Sequence, residues 1–269
     1  MRIPLHFALL PIVAFLGGCS LLQAGKLYAP ETFGFVPVTP NIYVEQAADA
    51  ATKTKLREAM DKAKDVITNT FGDTKASPTV YACITEHCFW AVGGRGAIAK
   101  VYGDRIILSP RGLNWHFIAH EWSHAEMSTR LTLLAWQRMP QWFDEGLAVA
   151  VSEAPEHSES HWRFLVAASI PRPTREELYS FKSLQDWLDA VGRYSDNKNA
   201  ERRALGKTEI HSLYAAAGHE VRPWVAGVGT AGILAFIGKM NGGETFEAAY
   251  QTANPVAQGT QGSAPDFNR

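Results

Sequence analysis

Residues 120–124 read His-Glu-Trp-Ser-His, and their types and spacing are suited to chemistry at a metal ion. If the segment is helical, His120 and His124 lie one turn apart on one face, so both imidazoles can bind a single ion. Glu121 lies about a hundred degrees round the same helix, within reach of a water molecule bound to that ion. The pattern predicts a hydrolytic zinc site with two histidine ligands and Glu121 as general base.

A catalytic zinc ion usually takes three protein ligands and leaves one position for water. Glu145 is the predicted third ligand, because it lies 21 positions after His124 on the next predicted helix, which can pack back across the first. Glu126 is close in sequence but faces away from the two histidines. His116 lies one turn before His120, and it is either another ligand or a satisfied histidine of the cleft or core.

The elements that must position these residues follow from hydrophobic periodicity. The motif helix is predicted to begin with Ser109 as N-cap and Pro110 at its first position, or up to a turn later at Gly112 or Asn114, and to run to about Leu131. Because apolar residues surround it, this helix should be buried, where polar side chains need partners or a metal. Other helices are predicted at 45–71, from Pro140, and at 158–169, 174–179, 183–191, 207–217, 229–240 and 244–252; strands are predicted at 78–84, 89–92, 97–102 and 105–108.

Residues 142–148 (WFDEGLA) resemble the W-[LF]-x-E-G-x-A segment of gluzincin metallopeptidases, the thermolysin-like and aminopeptidase-like group of the peptidase MA clan. Together with the HEWSH segment, the resemblance covers about residues 97 to 150 and implies that Glu145 is the third zinc ligand. It implies an α+β fold, with a small mixed or antiparallel sheet whose edge strand packs on the motif helix, followed by a mostly helical C-terminal part.

The resemblance also implies how the rest of the cleft is built. An edge strand before the motif helix would hold an extended peptide by its backbone, although an ordinary sheet strand is the alternative. The residues expected there are Arg105, Ile106, Ile107 and Leu108. Relatives steady the oxyanion with a Tyr or His from a downstream helix, which Tyr214 resembles here, with His211 and His219 as rivals.

Thermolysin-like relatives often place an Asp one turn after the ligand Glu, where this chain has Ala148 and Val149. The group that orients the zinc histidines must therefore come from elsewhere, for example a backbone carbonyl. Asp144 is expected either to orient a ligand or to lie exposed at the start of its helix.

The N-terminus resembles the signal peptide of a bacterial lipoprotein. Residues 1–18 contain a short apolar run that ends in Leu-Gly-Gly before Cys19, which resembles a lipobox and implies that Cys19 carries the lipid. Because Ser20 follows and not Asp, an outer-membrane anchor facing the periplasm is favoured in a Gram-negative source; a plain secretory signal is the alternative. Residues 19–40 are predicted as an extended tether, 41–252 as the metallopeptidase-like domain and 253–269 as a disordered tail.

Cys83 and Cys88 are the other cysteines of the chain. An exported protein meets an oxidising compartment, so a disulfide that closes a small loop is the first expectation. The alternatives are two metal ligands with His87 between them, or two free buried thiols.

These observations predict a peptidase with one zinc ion that hydrolyses peptide bonds of a peptide or protein substrate in the cell envelope and contacts the membrane through its lipid. The formal net charge of -1 gives no electrostatic case for binding nucleic acid. One alternative is a catalytically weak or inactive, metal-stabilised lipoprotein that binds peptides or serves envelope assembly. Another is a peptide deformylase. Residues 86–90 (EHCFW) differ from the E-G-C-L-S segment of that family at its Gly, Leu and Ser positions.

Overall fold

The structure is a computed structural model that describes residues 25–94, 96–194 and 198–253. These ranges combine a small mixed sheet with a larger set of helices, which confirms the predicted α+β class. The strands are β1 (Phe35–Thr39), β2 (Ile42–Glu45), β3 (Thr79–Ala82), β4 (Ala99–Tyr102) and β5 (Arg105–Leu108). The helices are α1 (Ala50–Phe71), α2 (Glu86–Ala91), α3 (Trp115–Arg130), α4 (Leu133–Arg138), α5 (Gln141–Ser152), α6 (Glu159–Ala167), α7 (Arg175–Ser180), α8 (Leu184–Arg193), α9 (Asn199–Ala204), α10 (Ser212–Asn241) and α11 (Phe246–Thr252), with 3₁₀ turns at Gly25–Tyr28, Pro30–Phe33 and Pro155–His157.

The described strands form one sheet in the order β1-β2-β3-β5-β4. The inner pairs β2–β3 and β3–β5 are parallel, whereas the outer pairs β1–β2 and β4–β5 are antiparallel. Ile106 of β5 lies opposite Val80 of β3 on one side and opposite Val101 of β4 on the other. β5 is therefore an inner strand, and β1 and β4 are the edges.

The two faces of the sheet are covered by different elements, as the alternation of side chains along a strand requires. Ile106 and Leu108 point into the main core, which they share with residues of α1, α3 and α5. Ile107 points the other way and packs in a smaller cluster with Leu27 of the first 3₁₀ turn and Phe89 of α2. The motif helix α3 thus lies on one side of the sheet, and α2 and the N-terminal turns lie on the other.

The N-cap of the motif helix α3 is Asn114, whose side-chain oxygen accepts a hydrogen bond from the backbone N–H of His116 at 3.0 Å. This is the latest of the predicted starts. Ser109 does not cap the helix, which begins only at Trp115; its N–H donates to the carbonyl of Ile98 and extends the β4–β5 ladder. The helix is buried on nearly all sides, as predicted from its composition.

The tether prediction is wrong for residues 25–40, which are part of the fold. Gly34 has a φ of 82° and ends the turn Pro30–Phe33, so that the chain can enter β1 with Phe35 buried. Pro37 is tolerated because β1 is an edge strand. The Gly and Pro residues that predicted an extended segment are turn and edge residues here.

Two further boundaries differ from the prediction. Residues 89–92, predicted as a strand, belong mostly to α2, because the Thr85 side chain caps it by accepting from the N–H of Cys88, and Phe89 and Val92 are buried at helical spacing. The predicted link from Leu131 to Met139 contains α4, capped in the same way by Thr132. In both cases a threonine N-cap favours a helix where the local composition predicted a strand or a link.

The long helix α10 joins two segments that were predicted separately. Its helical span runs through Gly229, but that residue has a φ of 59° and a ψ of -171°, so the helix is kinked there. By length and composition α10 could cross a membrane. In the fold its residues Leu213, Val221 and Phe236 are buried in the main core.

The predicted signal peptide and Cys19 lie outside the described residues, as do residues 254–269 of the predicted tail.

Candidate metal centre

His120, His124 and Glu145 converge, although they come from two helices. The Nε2 atoms of His120 and His124 are 3.3 Å apart. Oε2 of Glu145 lies 3.4 Å from Nε2 of His120 and 3.6 Å from Nε2 of His124. The histidines are one turn apart on α3, and α5 packs across α3 to bring the carboxylate between them.

The spacing of these three atoms fits a zinc ion. A tetrahedral zinc with bonds of about 2.0–2.1 Å holds its ligand atoms about 3.3–3.5 Å apart, and the distances here are 3.3, 3.4 and 3.6 Å. Oε2 of Glu145 is also fully enclosed and accepts no hydrogen bond from any described residue. Two imidazoles and one carboxylate with an enclosed, unpartnered oxygen are a donor set that a zinc ion satisfies.

The charges of the donor groups are strongly coupled. Burial by itself raises the pKa of Glu145, but the imidazoles of His120 and His124, 3.4 and 3.6 Å from its Oε2, outweigh it and hold the pKa well below its usual value. Burial lowers the pKa of His124, and Asp144 and Glu145 outweigh this effect, so its pKa is raised well above the usual value. The pocket therefore has a negative field that favours a cation between the histidine rings.

Glu121 is buried beside this donor set. The charges of His120, His124 and Glu145 all act on its carboxyl group. Burial raises the pKa of Glu121 above its usual value, and the two histidines partly oppose this shift. A carboxylate with a raised pKa can both accept and return a proton near neutral pH.

Asp144 orients one of the histidines. Its Oδ2 accepts a hydrogen bond from Nδ1 of His124 at 2.8 Å. The residue is 5% exposed, which excludes the expectation of an exposed acid at the helix start and favours the orienting role. This hydrogen bond orients a candidate zinc histidine, the role for which the chain has no Asp one turn after Glu145.

Gln141 was missed by reasoning from the sequence. Its Nε2 donates to Oε1 of Glu145 at 3.0 Å and thereby leaves Oε2 to face the histidines. The signal was present, because positions four apart on a helix are neighbours. Nδ1 of His120, by contrast, is enclosed and has no hydrogen-bond partner among the described residues.

Gly146 allows α5 to approach α10 closely. A Cβ atom at this position would lie 2.5 Å from Cγ2 of Val221 and 2.7 Å from the carbonyl oxygen of Ala217, both distances too short for a methyl group. The glycine that follows the predicted ligand in the WFDEGLA segment therefore has a packing role. It fixes the position of α5, and with it the position of Glu145.

The two competing ligands are engaged elsewhere. Nδ1 of His116 lies 2.7 Å from the carbonyl oxygen of Ser152, which makes it a satisfied histidine. Glu126 is fully buried, and its carboxylate accepts hydrogen bonds from the N–H of Ala76 at 2.8 Å and from Nε of Arg130 at 2.9 Å. As predicted, Glu126 points away from the histidine pair.

An aromatic wall faces the site from α10 and the turn Pro155–His157. The ring of Tyr214 lies 6.3 Å from the ring of His120 and stacks on His157 at 4.9 Å. His157 is itself 6.3 Å from His120, and burial, with the charges of His211 and His120, lowers its pKa well below the usual value. His157 was not singled out from the sequence, because it lies in a turn outside every motif.

The two rivals of Tyr214 are placed differently. His211 borders the wall through His157, whose ring centre is 5.0 Å away. His219 is exposed, with its Nδ1 3.0 Å from the carboxylate of Glu159 and its ring stacked on Trp162. Tyr214 and His157 are therefore the side chains of this wall that lie beside the ligands.

The predicted substrate strand is wrong. Arg105, Ile106, Ile107 and Leu108 form β5, which pairs with β3 on one side and with β4 on the other, so its backbone is occupied. The two-residue turn at Gly103-Asp104 folds β4 onto the side that was expected to be open. The edge of the sheet near α3 is β4.

The backbone of β4 offers outward groups at alternate residues. The N–H of Ser109 donates to the carbonyl of Ile98, so these two residues form a hydrogen-bonded pair of the antiparallel ladder. Hydrogen-bonded and non-hydrogen-bonded pairs alternate along such a ladder, so the next hydrogen-bonded pairs are those of Lys100 and Tyr102. It follows that Ala99 and Val101 direct their N–H and C=O groups away from β5. No described strand pairs with that side of β4.

Cys83 and Cys88 form a disulfide, with Cα atoms 5.5 Å apart, that joins the end of β3 to α2. In this state neither sulfur is a thiolate, so the metal-ligand hypothesis and the deformylase hypothesis both lack their sulfur ligand. The nearby carboxylate of Glu45 instead accepts hydrogen bonds from the N–H groups of Ile84 and Thr85.

Comparison of the chain with protein-family models, with curated proteins and with solved structures finds no match.

Proposed function

We propose that this protein is a zinc-dependent peptidase of the cell envelope, with His120, His124 and Glu145 as zinc ligands. The observation that carries the proposal is the convergence of their three donor atoms at 3.3–3.6 Å on an enclosed point. The resemblance of residues 142–148 to the gluzincin segment supports the same assignment and suggests a thermolysin-like arrangement of the cleft.

When bound, zinc supplies a Lewis acid that polarises the scissile carbonyl and lowers the pKa of the attacking water toward neutrality. Glu121 accepts the proton of that water and delivers it to the nitrogen of the leaving amine. Its burial supports this cycle, since a raised pKa brings the carboxylate closer to the pH at which it works.

The surrounding residues orient the ligands. Asp144 accepts a hydrogen bond from the proton-bearing Nδ1 of His124, so that Nε2 keeps its lone pair for the metal. Gln141 donates to Oε1 of Glu145 and leaves Oε2 as the ligand atom. Both partners lie on α5, the helix that carries Glu145.

The substrate is an extended peptide. Val101 and Ala99 on the edge strand β4 offer it backbone N–H and C=O groups, which would add it to the sheet as a further strand. Tyr214, and His157 stacked on it, stand across the site from α3, and a hydrogen bond to the oxyanion would come from one of them.

The location follows from the lipobox-like sequence before Cys19. A lipid on this residue would anchor the protein in the outer membrane of a Gram-negative cell, with the folded domain in the periplasm.

The test is hydrolysis of an unbiased peptide library by protein loaded with one equivalent of zinc, with products identified by mass spectrometry. The wild type should cleave, and Glu121→Gln should keep its zinc while losing at least about a hundredfold in rate. Glu201→Gln, which changes an exposed carboxylate on α9, is the matched control and should cleave normally.

Wild-type activity in Glu121→Gln would refute the mechanism. Zinc binding without cleavage by the wild type would favour the alternative, a metal-stabilised lipoprotein that binds peptides.

A further inference from the structure

Three large aromatic side chains are exposed on the two N-terminal 3₁₀ turns and on α2. Tyr28 is 73% exposed, Phe33 is 48% exposed and Trp90 is 57% exposed. We refer to these three residues as the aromatic face. Exposure of such side chains costs free energy in water unless another phase or molecule covers them.

Contacts between the N-terminal turns and α2 bring Phe33 beside the helix that carries Trp90. Nζ of Lys26 donates to the carbonyl of Ala91 at 2.9 Å and lies 5.5 Å from the centre of the Phe33 ring. His87 and Ala91 line a groove of about 320 Å³ together with Phe33. Trp90 follows His87 by three positions on α2, so both side chains project from the same side of this helix.

Tyr28 extends this surface toward β5. Its ring stacks under the guanidinium of Arg105, whose central carbon lies 3.8 Å from the ring centre. The residue before it, Leu27, is buried in the smaller cluster on the sheet, and its carbonyl accepts a hydrogen bond from the hydroxyl of Tyr81 at 2.8 Å. The segment is thus fixed on the sheet while Tyr28 projects outward.

The sequence just before this surface determines what can reach it. Gly25 begins the first turn, and six peptide steps separate it from Cys19. A chain of that length spans at most about 21 Å, whatever its conformation. A lipid on Cys19 therefore holds the turns that carry Tyr28 and Phe33 close to the bilayer.

We propose that the aromatic face rests on the membrane surface, with the lipid headgroup region as its partner. This inference depends on the lipid anchor of the proposed function and does not depend on the peptidase chemistry. Trp and Tyr favour the headgroup level of a bilayer because they combine an apolar ring with a polar group. Lys26, which lies against the ring of Phe33, adds positive charge for anionic headgroups, whereas the guanidinium of Arg105 is paired with Asp104.

The contact would orient the proposed active site. The aromatic face covers the side of the sheet on which Ile107 and Phe89 pack, whereas α3 with His120 and His124 covers the opposite side. The sheet therefore separates the bilayer from the zinc ligands. The cleft faces away from the lipid, and its substrates are peptides reached from the aqueous periplasm and not segments within the membrane.

The experiment uses the full protein, purified with its lipid and reconstituted into vesicles of phosphatidylethanolamine and phosphatidylglycerol with brominated acyl chains. Bromine quenches the fluorescence of tryptophans that contact the bilayer. The wild type should be quenched, and the quenching should be lost in Trp90→Phe. The matched control is Trp136→Phe on α4, beside the exposed Leu133 and Leu134, and it should keep the quenching.

Quenching that survives in Trp90→Phe, or that is lost in Trp136→Phe, would overturn the proposal, as would a wild type that is not quenched at all. Mass spectrometry of Cys19 that finds no lipid would also overturn it, and would leave the peptidase proposal untouched. Conversely, Trp90-dependent quenching in a protein that cleaves no peptide would support the membrane contact while refuting the peptidase. Trp90→Phe should hydrolyse soluble peptides at the wild-type rate, because Trp90 lies on the other side of the sheet from the ligands.

Discussion

Asp144 accepts a hydrogen bond from Nδ1 of His124 at 2.8 Å, and Asp144 is the residue immediately before Glu145. Two consecutive residues of α5 thus serve the same site, one as candidate ligand and the other as partner of a ligand. The hydrogen bond fixes the tautomer of His124 with its proton on Nδ1, which leaves Nε2 able to bind a metal. Both interactions depend on the same packing of α5 against α3.

Replacement of Asp144 by Asn tests this relationship. The amide oxygen can still accept the hydrogen bond from His124 but carries no charge, so zinc affinity should fall about 10–100-fold. Competition with a fluorescent zinc chelator measures the change. Asp189→Asn, an exposed position on α8, is the control and should bind zinc as the wild type does. Equal affinities in the two variants would remove Asp144 from the site.

Removal of zinc should destabilise the fold, because the enclosed carboxylate of Glu145 and the two histidine rings lose their shared partner. At a free zinc concentration about a hundredfold above Kd, binding contributes about 2.7 kcal/mol, and for a domain of this size that corresponds to a fall in Tm of about 5–11 °C. Calorimetry with and without chelator measures it, and restored zinc should reverse it. Glu145→Gln serves as the control, since its Tm should not respond to the chelator. A wild type that is equally insensitive would contradict the zinc assignment.

Val101→Pro tests strand addition at β4. Proline removes the N–H that points away from β5 and leaves the hydrogen bonds of the β4–β5 ladder intact, a position where an edge strand tolerates it. Loss of one hydrogen bond to the substrate should lower kcat/KM for extended peptides about 5–10-fold. Val101→Ala keeps the N–H and should retain the wild-type value. A similar loss in both variants would point to the side chain and not to the backbone.

Glu126 and Glu121 lie on the same helix and should respond in opposite ways to replacement by glutamine. Glu126 is fully buried and accepts hydrogen bonds from Ala76 and Arg130, so Glu126→Gln should lower the free energy of unfolding by about 2–3 kcal/mol. Its folded fraction should hydrolyse peptides normally. Glu121→Gln should show the reverse, with normal stability and lost hydrolysis. Denaturant unfolding and peptide cleavage, measured on both variants, distinguish the two roles.

The local arrangement of the ligands could be predicted because helical spacing determines it. His120 and His124 follow from a separation of four residues, and Gln141 with Glu145 repeats that separation on α5. The orienting role of Asp144 was one of two open interpretations, since a sequence does not reveal how two helices are rotated about their axes. His157 could not be found at all, because tertiary packing alone brings its turn to the site.

The strand order illustrates a different limit. The hairpin of β4 and β5 was predicted correctly from the Gly103-Asp104 turn, but the choice of the open strand was wrong. Alternating apolar residues identify a strand without stating which neighbour lies on each side of it. Here β3 and β5 are far apart in the sequence but pair in parallel, and this pairing leaves β4 as the edge strand.

The close approach of α5 and α10 at Gly146 has a consequence for motion. With Val221 and Ala217 packed directly against the glycine, neither helix can slide or tilt past the other without a steric clash. Glu145 on one helix and Tyr214 on the other must therefore move together as a single rigid body. A cleft that widens to admit or release a peptide would then do so on its other side, at the edge strand β4.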